Sequence, residues 1–231
     1  MQPTEFRTAE RAHASILAQR EQRLLLWLAE RMPAWVTSDR LTLLGLLAML
    51  FAGLCYWLAR FHPAGLLLVI LCLALNWFGD SLDGTLARVR RQPRPRYGFY
   101  VDHIVDTFGA LFLLAGLALS GYITPLVAAA LLLAYYIISI EVYLATYTLG
   151  TFHLAFGGLG PTELRILLAL GNLWLYFTPR APVVFVLGAD HKLLDVGGVI
   201  AATALLLFAC LSAARHTRAL YRSDPLTRAH G

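Results

Sequence analysis

Four long stretches of the chain contain no charged residue, and they constrain its fold more than any other feature. Three are 19 residues long and one is 34 residues long; they cover 41–59, 61–79, 107–140 and 196–214. A helix that crosses a bilayer needs about 20 apolar residues. Only 14% of the 231 residues are charged, against about 25% in ordinary soluble domains. The sequence therefore predicts an all-α integral membrane protein and excludes disordered, coiled-coil and disulfide-rich classes.

We expect six membrane-spanning helices, preceded by an amphipathic helix on the membrane surface. The 34-residue stretch is long enough for two spans, and Gly121 and Pro125 supply the turn between them. Residues 5–31 carry charges on one side and apolar residues on the other, which is typical of an interfacial helix. The segment 181–192 is predicted to be a loop at the far side of the membrane. The predicted spans are 41–59, 65–87, 98–119, 124–147, 162–178 and 194–214.

The chain is predicted to form one membrane domain, with 1–38 at the surface, 39–215 as the core and 216–231 as a tail. Sixteen of the 19 Lys and Arg residues lie on the side that holds both termini in this arrangement. Because cytosolic loops are enriched in these residues, we expect both termini at the cytosolic face, in a bacterial inner membrane. The net charge of +5 then reflects topology and anionic lipid, not binding to nucleic acid.

Four aspartates lie within 27 residues of each other, at the ends of two predicted spans. Asp80 and Asp83 are spaced i, i+3, whereas Asp102 and Asp106 are spaced i, i+4, so each pair shares one helix face. The two helices are consecutive and antiparallel, and their carboxylate faces can meet. Four carboxylates near a membrane need compensating positive charge, and hard divalent cations prefer oxygen ligands. The sequence therefore predicts a site for Mg²⁺ or Mn²⁺, with two ions suited to a phosphoryl displacement.

The same helix faces carry small and polar residues beside the aspartates. At about 100° per residue, Gly98 shares the face of Asp102 and Asp106. Glycine removes a side chain where a substrate must approach a helix closely, which Gly84 and Gly98 would allow. The face of Asp80 and Asp83 also carries Asn76, Gly84, Ala87 and Arg88.

The pattern reads Asp80-x-x-Asp83-Gly84-x-x-Ala87-Arg88, then nine residues, then Gly98-x-x-x-Asp102-x-x-x-Asp106. It resembles the signature of the CDP-alcohol phosphotransferase family at all eight defining positions. The resemblance implies a reaction in which a CDP-linked donor gives its distal phosphoryl group, with the attached alcohol, to an acceptor hydroxyl. CMP is the leaving group in that reaction. The resemblance also implies a homodimer.

The resemblance implies a role for each residue of the motif. The four aspartates are expected to hold the metal ions, and Asp106 is expected to deprotonate the acceptor hydroxyl as the catalytic base. The predicted CDP-binding residues are Gly84, Ala87, Arg88, Gly98, Asn76 and Thr42.

The chain departs from a common family pattern just before the first span. Many members have Pro-Asn-x-x-Thr there, and in this chain Thr42 fits the threonine while Asp39 replaces the asparagine. Any role of that asparagine in holding the nucleotide is therefore in doubt here. We expect Ser38 and Asp39 instead to cap the first span at its N-terminus.

Five further residues are candidates for lining the acceptor pocket or orienting the base. His103 can orient Asp106, three residues away, or it can be a solvated histidine at the interface. Arg94 and Arg96 belong to an arginine-rich loop that can bind phosphates or act only as a topological anchor. Glu163 and Arg165 either border the acceptor pocket or belong to ordinary helix-start chemistry.

Two donor branches fit the motif. In the slightly preferred one, a polar alcohol attacks CDP-diacylglycerol; in the other, diacylglycerol attacks a donor of the CDP-choline or CDP-ethanolamine type, which the Asp-His-x-x-Asp sequence at His103 resembles. A divalent-cation or proton transporter is the alternative from a different class, and it predicts carboxylates spread through the membrane depth. Glu141, inside the fourth predicted span, is a functional candidate, with a structural hydrogen bond as the alternative.

Overall fold

The computed structural model describes residues 18–149, 160–178, 182–186 and 188–224. Within these ranges the chain forms seven helices and one two-stranded hairpin. Their order is α1 (Ala18–Arg31), α2 (Ser38–Ala59), α3 (Ala64–Val89), α4 (Pro95–Leu119), α5 (Pro125–Leu149), α6 (Pro161–Phe177), β1 (Val183–Val186), β2 (Ala189–Lys192) and α7 (Leu193–Ser223). The predicted all-α membrane architecture is confirmed.

Each of the six predicted spans corresponds to one helix, from α2 to α7. In the described ranges, α2, α3, α4, α5 and α7 are long and apolar enough to cross a membrane. Helix α6 has only 17 residues, which is at the lower end of the length that can span a bilayer. The count of six spans therefore stays a prediction. Helix α7 continues to Ser223, so the predicted C-terminal tail begins as helix.

The turn predicted inside the 34-residue stretch is confirmed. Gly121 has a φ of +84°, a left-handed conformation that favours glycine, and Pro125 begins α5. Asp195, in the first turn of α7, accepts hydrogen bonds from the backbone N–H and the hydroxyl of Thr124, both at 2.6 Å. A carboxylate from another helix thus binds the turn that precedes α5.

The segment predicted as a loop at 181–192 instead forms an antiparallel hairpin where it is described. Val183 pairs with Lys192, and Val186 pairs with Ala189. β-Branched and aromatic residues favour the extended conformation, and Gly188 supplies a φ of +84° at the turn. The loop prediction was wrong because it gave no weight to these residue types.

Helix α2 is central to the bundle, since it packs against both α3 and α4. Helix α5 packs against α4 and α7, and α6 packs against α3. In the described part of the chain, α3 and α4 make no comparably extensive contact, although they are consecutive. We call the end of the bundle that holds the four aspartates the carboxylate end, and the end with β1 and β2 the hairpin end.

Helix α1 agrees with the predicted amphipathic helix over the residues that are described. Leu25 and Ala29 are buried in a cluster that includes Leu86 of α3. Trp27, on the other side of α1, is half exposed. Burial of one face holds α1 against the carboxylate end, and its exposed apolar face suits a membrane surface. The remaining predicted part, 5–17, lies outside the described residues.

Candidate active site

Asp80 forms an ion pair with Arg165, which comes from the second turn of α6. Nη2 of Arg165 lies 2.5 Å from Oδ2 of Asp80, and both side chains are mostly buried. Nε of the same guanidinium donates to Oδ1 of Asn76 at 2.8 Å. The Asn76 amide in turn donates to the backbone carbonyl of Gly45 at 3.1 Å. Arg165 therefore lies at the predicted metal site, where it supplies positive charge to Asp80.

Asp83 is bound by the first turns of α2. The Thr42 hydroxyl donates to Oδ2 of Asp83 at 2.5 Å, and the Ser38 hydroxyl donates to the Asp83 backbone carbonyl at 2.9 Å. The backbone N–H of Gly84 donates to the other carboxylate oxygen. Thr42 thus orients an aspartate of the motif, which is a contact between residues 41 positions apart.

His103 is buried, so the alternative of a solvated interfacial histidine was wrong. Its Nδ1 lies 2.6 Å from the backbone carbonyl of Phe99 and 3.8 Å from Oδ2 of Asp102. Its ring contacts the rings of Phe99 and Tyr143, with centroids 4.0 and 4.5 Å apart. These contacts fix His103 in the packing between α4 and α5, one residue from Asp102.

Two tyrosines of α5 face the motif carboxylates. Tyr135 lies within electrostatic range of both Asp106 and Asp80, and Tyr143 lies within range of Asp106 and Asp102. Asp80 of α3 and both Asp102 and Asp106 of α4 therefore lie near α5. The sequence analysis assigned these tyrosines no role, since no motif marks which face of α5 meets α4.

The two motif glycines face open space at the carboxylate end. Among the described residues, a Cβ atom added at Gly98 would meet nothing within 4 Å, and one at Gly84 would meet only the Arg88 guanidinium at 3.9 Å. Neither glycine is therefore required for helix packing. Their positions fit the prediction that a substrate approaches α3 and α4 closely here.

A cavity of about 430 Å³ opens beside the motif, between the start of α2 and the end of α3. Ala87 of the motif lines it, together with Arg90 and Arg94 of the α3–α4 loop. This volume lies within the range of about 300–1,000 Å³ that is typical of small-molecule sites. The lining residues are Thr37, Ser38, Asp39, Leu86, Ala87, Arg90, Gln92, Pro93 and Arg94.

The start of α2 differs from the predicted cap by one residue. Thr37 is the N-cap, and its side chain accepts a hydrogen bond from the backbone N–H of Arg40 at 3.3 Å. Asp39 instead pairs with Arg94, and this hydrogen bond raises the pKa of the Arg94 guanidinium. The capping prediction was wrong because Ser38 and Asp39 find partners on α3 and the α3–α4 loop.

The arginines of the α3–α4 loop have different environments. Arg90 donates to the backbone carbonyls of Met32, Pro33 and Val36, so it ties this loop to the α1–α2 connection. Arg96 lies exposed in the first turn of α4. Arg90 has a structural role that the sequence did not indicate.

Two of the remaining predicted residues make local contacts. Arg88 donates to the Thr85 hydroxyl at 3.0 Å, one turn back along α3. Glu163 accepts a hydrogen bond from the backbone N–H of Gly160 at 2.9 Å, which is ordinary chemistry at a helix start. Arg165 reaches the motif, whereas this Glu163 contact belongs to the start of α6.

Comparison with known proteins identifies the family to which the chain belongs. A family model for CDP-alcohol phosphatidyltransferases matches residues 31–209. The chain belongs to this family. The matched region contains α2 to α6 and most of α7, and therefore all four motif aspartates. The resemblance inferred from the motif is confirmed.

Archaetidylinositol phosphate synthase from Pyrococcus horikoshii is a curated relative of this chain. The two sequences are 32% identical over 88 residues. That match covers 38% of this chain and 44% of the relative, so the chain matches less than half of the relative's length.

The resemblance implies divalent cations, and the donor chemistry of this phosphatidyltransferase-family site fits them. Carboxylate oxygens are suitable ligands for Mg²⁺ and Mn²⁺, and Asp80 already forms an ion pair with the Arg165 guanidinium. As the side chains stand, no three His, Cys, Asp or Glu residues in the described ranges are close enough together to hold a metal ion. Metal binding would therefore require side chains of the motif to turn toward one another.

Glu141 pairs with His216 of α7, outside the motif. Its Oε1 lies 2.6 Å from Nδ1 of His216. Its Oε2 is buried and has no hydrogen-bond partner among the described residues. The pair joins α5 to α7, which agrees with the alternative of a structural hydrogen bond to a neighbouring helix.

Proposed function

We propose that the protein transfers a substituted phosphoryl group from a CDP-linked donor to an acceptor hydroxyl in phospholipid head-group synthesis, with release of CMP. The complete motif carries this proposal. Its four aspartates lie at one end of the helix bundle, beside two glycines with open space around them, and the chain belongs to the family. CDP-diacylglycerol is the preferred donor. The name of the relative, archaetidylinositol phosphate synthase, supports a lipid-bearing donor and a polar acceptor.

The motif residues have distinct roles in this proposal. Asp80, Asp83, Asp102 and Asp106 would hold one or two Mg²⁺ or Mn²⁺ ions, which would neutralise phosphate oxygens and orient the reacting groups. Asp106 removes the proton from the acceptor hydroxyl. The acceptor oxygen bonds to the distal phosphorus, the bond from that phosphorus to the CMP oxygen breaks, and CMP leaves.

Charge and shape around the motif support the same roles. Arg165 places a guanidinium against Asp80, and Arg88 extends from the same helix near Gly84. Phosphoryl transfer depends mainly on positioning and on neutralising the charge of the phosphate oxygens. We place the nucleotide in the cavity lined by Ala87, with the reacting phosphates toward Gly84 and Gly98. Arg94 lines this cavity and Arg96 lies in the first turn of α4; both would contact the polar substrate.

We further propose that the carboxylate end faces the cytosol of a bacterial cell and that the enzyme acts as a homodimer. The arginine-rich loop between α3 and α4 lies at this end, and such loops are typical of the cytosolic side. A site at the membrane surface gives the lipid substrate lateral access and the water-soluble substrate access from the cytosol.

The test is CMP release by the purified full chain in lipid nanodiscs. We expect turnover with CDP-diacylglycerol and one or more polar alcohols, including phosphorylated polyols, when Mg²⁺ or Mn²⁺ is present. Asp106→Asn is expected to reduce turnover by roughly 10²- to 10⁴-fold, because it removes the base. Asp190→Asn is the matched control, since Asp190 is exposed in β2 and should leave turnover unchanged.

Other outcomes of the same assay separate the alternatives. CMP release that requires a CDP-choline or CDP-ethanolamine donor together with diacylglycerol would contradict the preferred donor but support the phosphotransferase reaction. Metal flux into vesicles without CMP release from any donor would contradict the reaction itself. Equal turnover by Asp106→Asn and Asp190→Asn would show that Asp106 is not the catalytic base.

A further inference from the structure

One carboxylate of the surface helix α1 joins the two helices that form the Asp80–Arg165 pair. Oε1 of Glu21 accepts a hydrogen bond from Nε1 of Trp77 at 2.7 Å and one from the Thr162 hydroxyl at 2.7 Å. The Ser81 hydroxyl donates to the same oxygen at 3.4 Å. Trp77 and Ser81 belong to α3, whereas Thr162 belongs to α6, so a single oxygen contacts both helices from α1.

These contacts lie next to the candidate active site. Ser81 follows Asp80 in the chain, and Thr162 precedes Arg165 by three residues, so it shares a helix face with Arg165. Arg165 then reaches back to Asp80 and Asn76 on α3. The junction between α3 and α6 therefore has two adjacent polar links at the carboxylate end, one made by Glu21 and one by Arg165.

Helix α6 packs mainly against α3 among the described elements. Thr162, in the first turn of α6, is the residue that Glu21 contacts. Loss of the Glu21 carboxylate would remove the link from α1 to the start of α6.

We propose that Glu21 is a positioning residue for the reaction, which fixes the start of α6 so that the Arg165 guanidinium reaches Asp80 and Asn76. The inference rests on the proposed function for its effect on turnover. It gives α1 a role beyond membrane attachment, because α1 then orients a charged group of the active site. Burial of Leu25 and Ala29 holds α1 against α3, so the Glu21 carboxylate is kept in a fixed position.

The experiment compares variants of the full chain in nanodiscs by kcat/KM for CMP release. Glu21→Ala is expected to lower kcat/KM about tenfold, since small displacements of a positioning group have large kinetic effects. Glu21→Gln keeps an oxygen acceptor and should remain within about twofold of the unmodified chain. Thr162→Val removes only the donor on α6. Glu30→Ala is the control, because Glu30 is exposed on the same helix and should change nothing.

A double-mutant cycle with Arg165→Lys separates positioning from a merely structural role. If Glu21 acts through Arg165, Glu21→Ala should cost less than about twofold once Arg165 is already Lys, because coupled residues are not additive. An equal tenfold loss in both backgrounds would overturn the proposal. So would a Glu21→Ala variant as active as Glu30→Ala.

Hydrogen exchange by mass spectrometry tests the contact without depending on turnover. Glu21→Ala should raise exchange over residues 161–168, and Glu21→Gln and Glu30→Ala should not. Unchanged exchange in Glu21→Ala would overturn the proposal. If the unmodified chain releases no CMP from any donor, the proposed function fails, and the exchange data still decide whether Glu21 holds α6 in place.

Discussion

Along α4, glycine has different surroundings toward the two ends of the bundle. At the hairpin end, a Cβ atom added to Gly53 of α2 would overlap the Phe112 carbonyl of α4, and one added to Gly116 of α4 would overlap the backbone of Gly53. At the carboxylate end, Gly84 and Gly98 face open space. The first pair allows two helices to touch, whereas the second pair leaves room beside the motif.

The difference shows how the site opens. Between the two ends, a Cβ added to Gly109 would meet only the Met49 side chain, at 3.2 Å. Contact between α2 and α4 thus changes from backbone against backbone near Gly116 to side-chain contact near Gly109. Small residues at helix crossings allow close approach in membranes, so the glycines at the hairpin end fix α4 while its other end diverges.

Gly116→Val is expected to have the largest effect on the fold. The Val side chain would collide with the Gly53 backbone, which cannot move as a flexible side chain can. Overpacking of this kind costs about 1–3 kcal/mol or more. We expect little monodisperse protein by size-exclusion chromatography in detergent and a lower thermal unfolding midpoint in whatever is recovered. Gly171→Ala is the control, because a Cβ there meets no atom within 4 Å in the part of the chain that the structure describes.

The same yield and the same unfolding midpoint for Gly116→Val and Gly171→Ala would contradict this expectation. In that case the close approach of α2 and α4 would not be needed for the fold. The hairpin end would then have no special part in positioning the motif.

Gly98→Ala is expected to affect activity and leave the fold intact. Alanine in a helix is favoured over glycine by roughly 0.5–1 kcal/mol, and no atom of the described residues lies within 4 Å of the added Cβ. The unfolding midpoint should therefore stay the same or rise slightly. If the open space admits the donor, kcat/KM for CMP release should fall about tenfold, mainly through KM for the CDP donor. Unchanged kinetics would show that this space is not used by the substrate.

The helices and the motif could largely be predicted from the sequence, because both follow from short-range patterns. Uncharged stretches of about 20 residues predict spans wherever they occur, and each predicted span coincides with a helix. A rotation of about 100° per residue places Asp80 with Asp83, and Asp102 with Asp106, on one face. These inferences need no knowledge of which helices are neighbours.

The contacts that complete the site could not be predicted in this way. Thr42 meets Asp83 across 41 positions, Arg165 meets Asp80 across 85, and Glu21 meets Thr162 across 141. Each contact depends on which helices are adjacent, and nothing in a local pattern specifies that. The sequence predicted that the faces of α3 and α4 can meet, but it did not show that α2 lies against both.

Tyr56→Phe tests whether the hairpin end acts on stability alone. The amide of Asn172 donates to the Tyr56 hydroxyl at 2.8 Å, in the buried core between α2 and α6. The same amide also donates to the Leu168 carbonyl at 2.8 Å, so it keeps a partner in the variant. We expect a loss of about 0.5–1.5 kcal/mol in stability, seen as a modestly lower unfolding midpoint, with kcat/KM unchanged. A clear loss of turnover in folded protein would show that this end contributes to the reaction as well.

Asp39→Asn has the smallest expected effect. It tests whether the residue at position 39, at the edge of the carboxylate end, contributes to binding of the CDP donor. It restores the asparagine that many family members have at this position. Asp39 and Arg94 are both about half exposed and pair with each other, and such surface pairs contribute little. Because the pairing engages Asp39 away from the motif aspartates, KM for the CDP donor should change less than about fivefold, and the change should shrink at high salt. A tenfold or larger decrease in KM that persists at high salt would contradict this. It would mean that the side chain at position 39 hydrogen-bonds the nucleotide directly, beyond lining the cavity in which we place it.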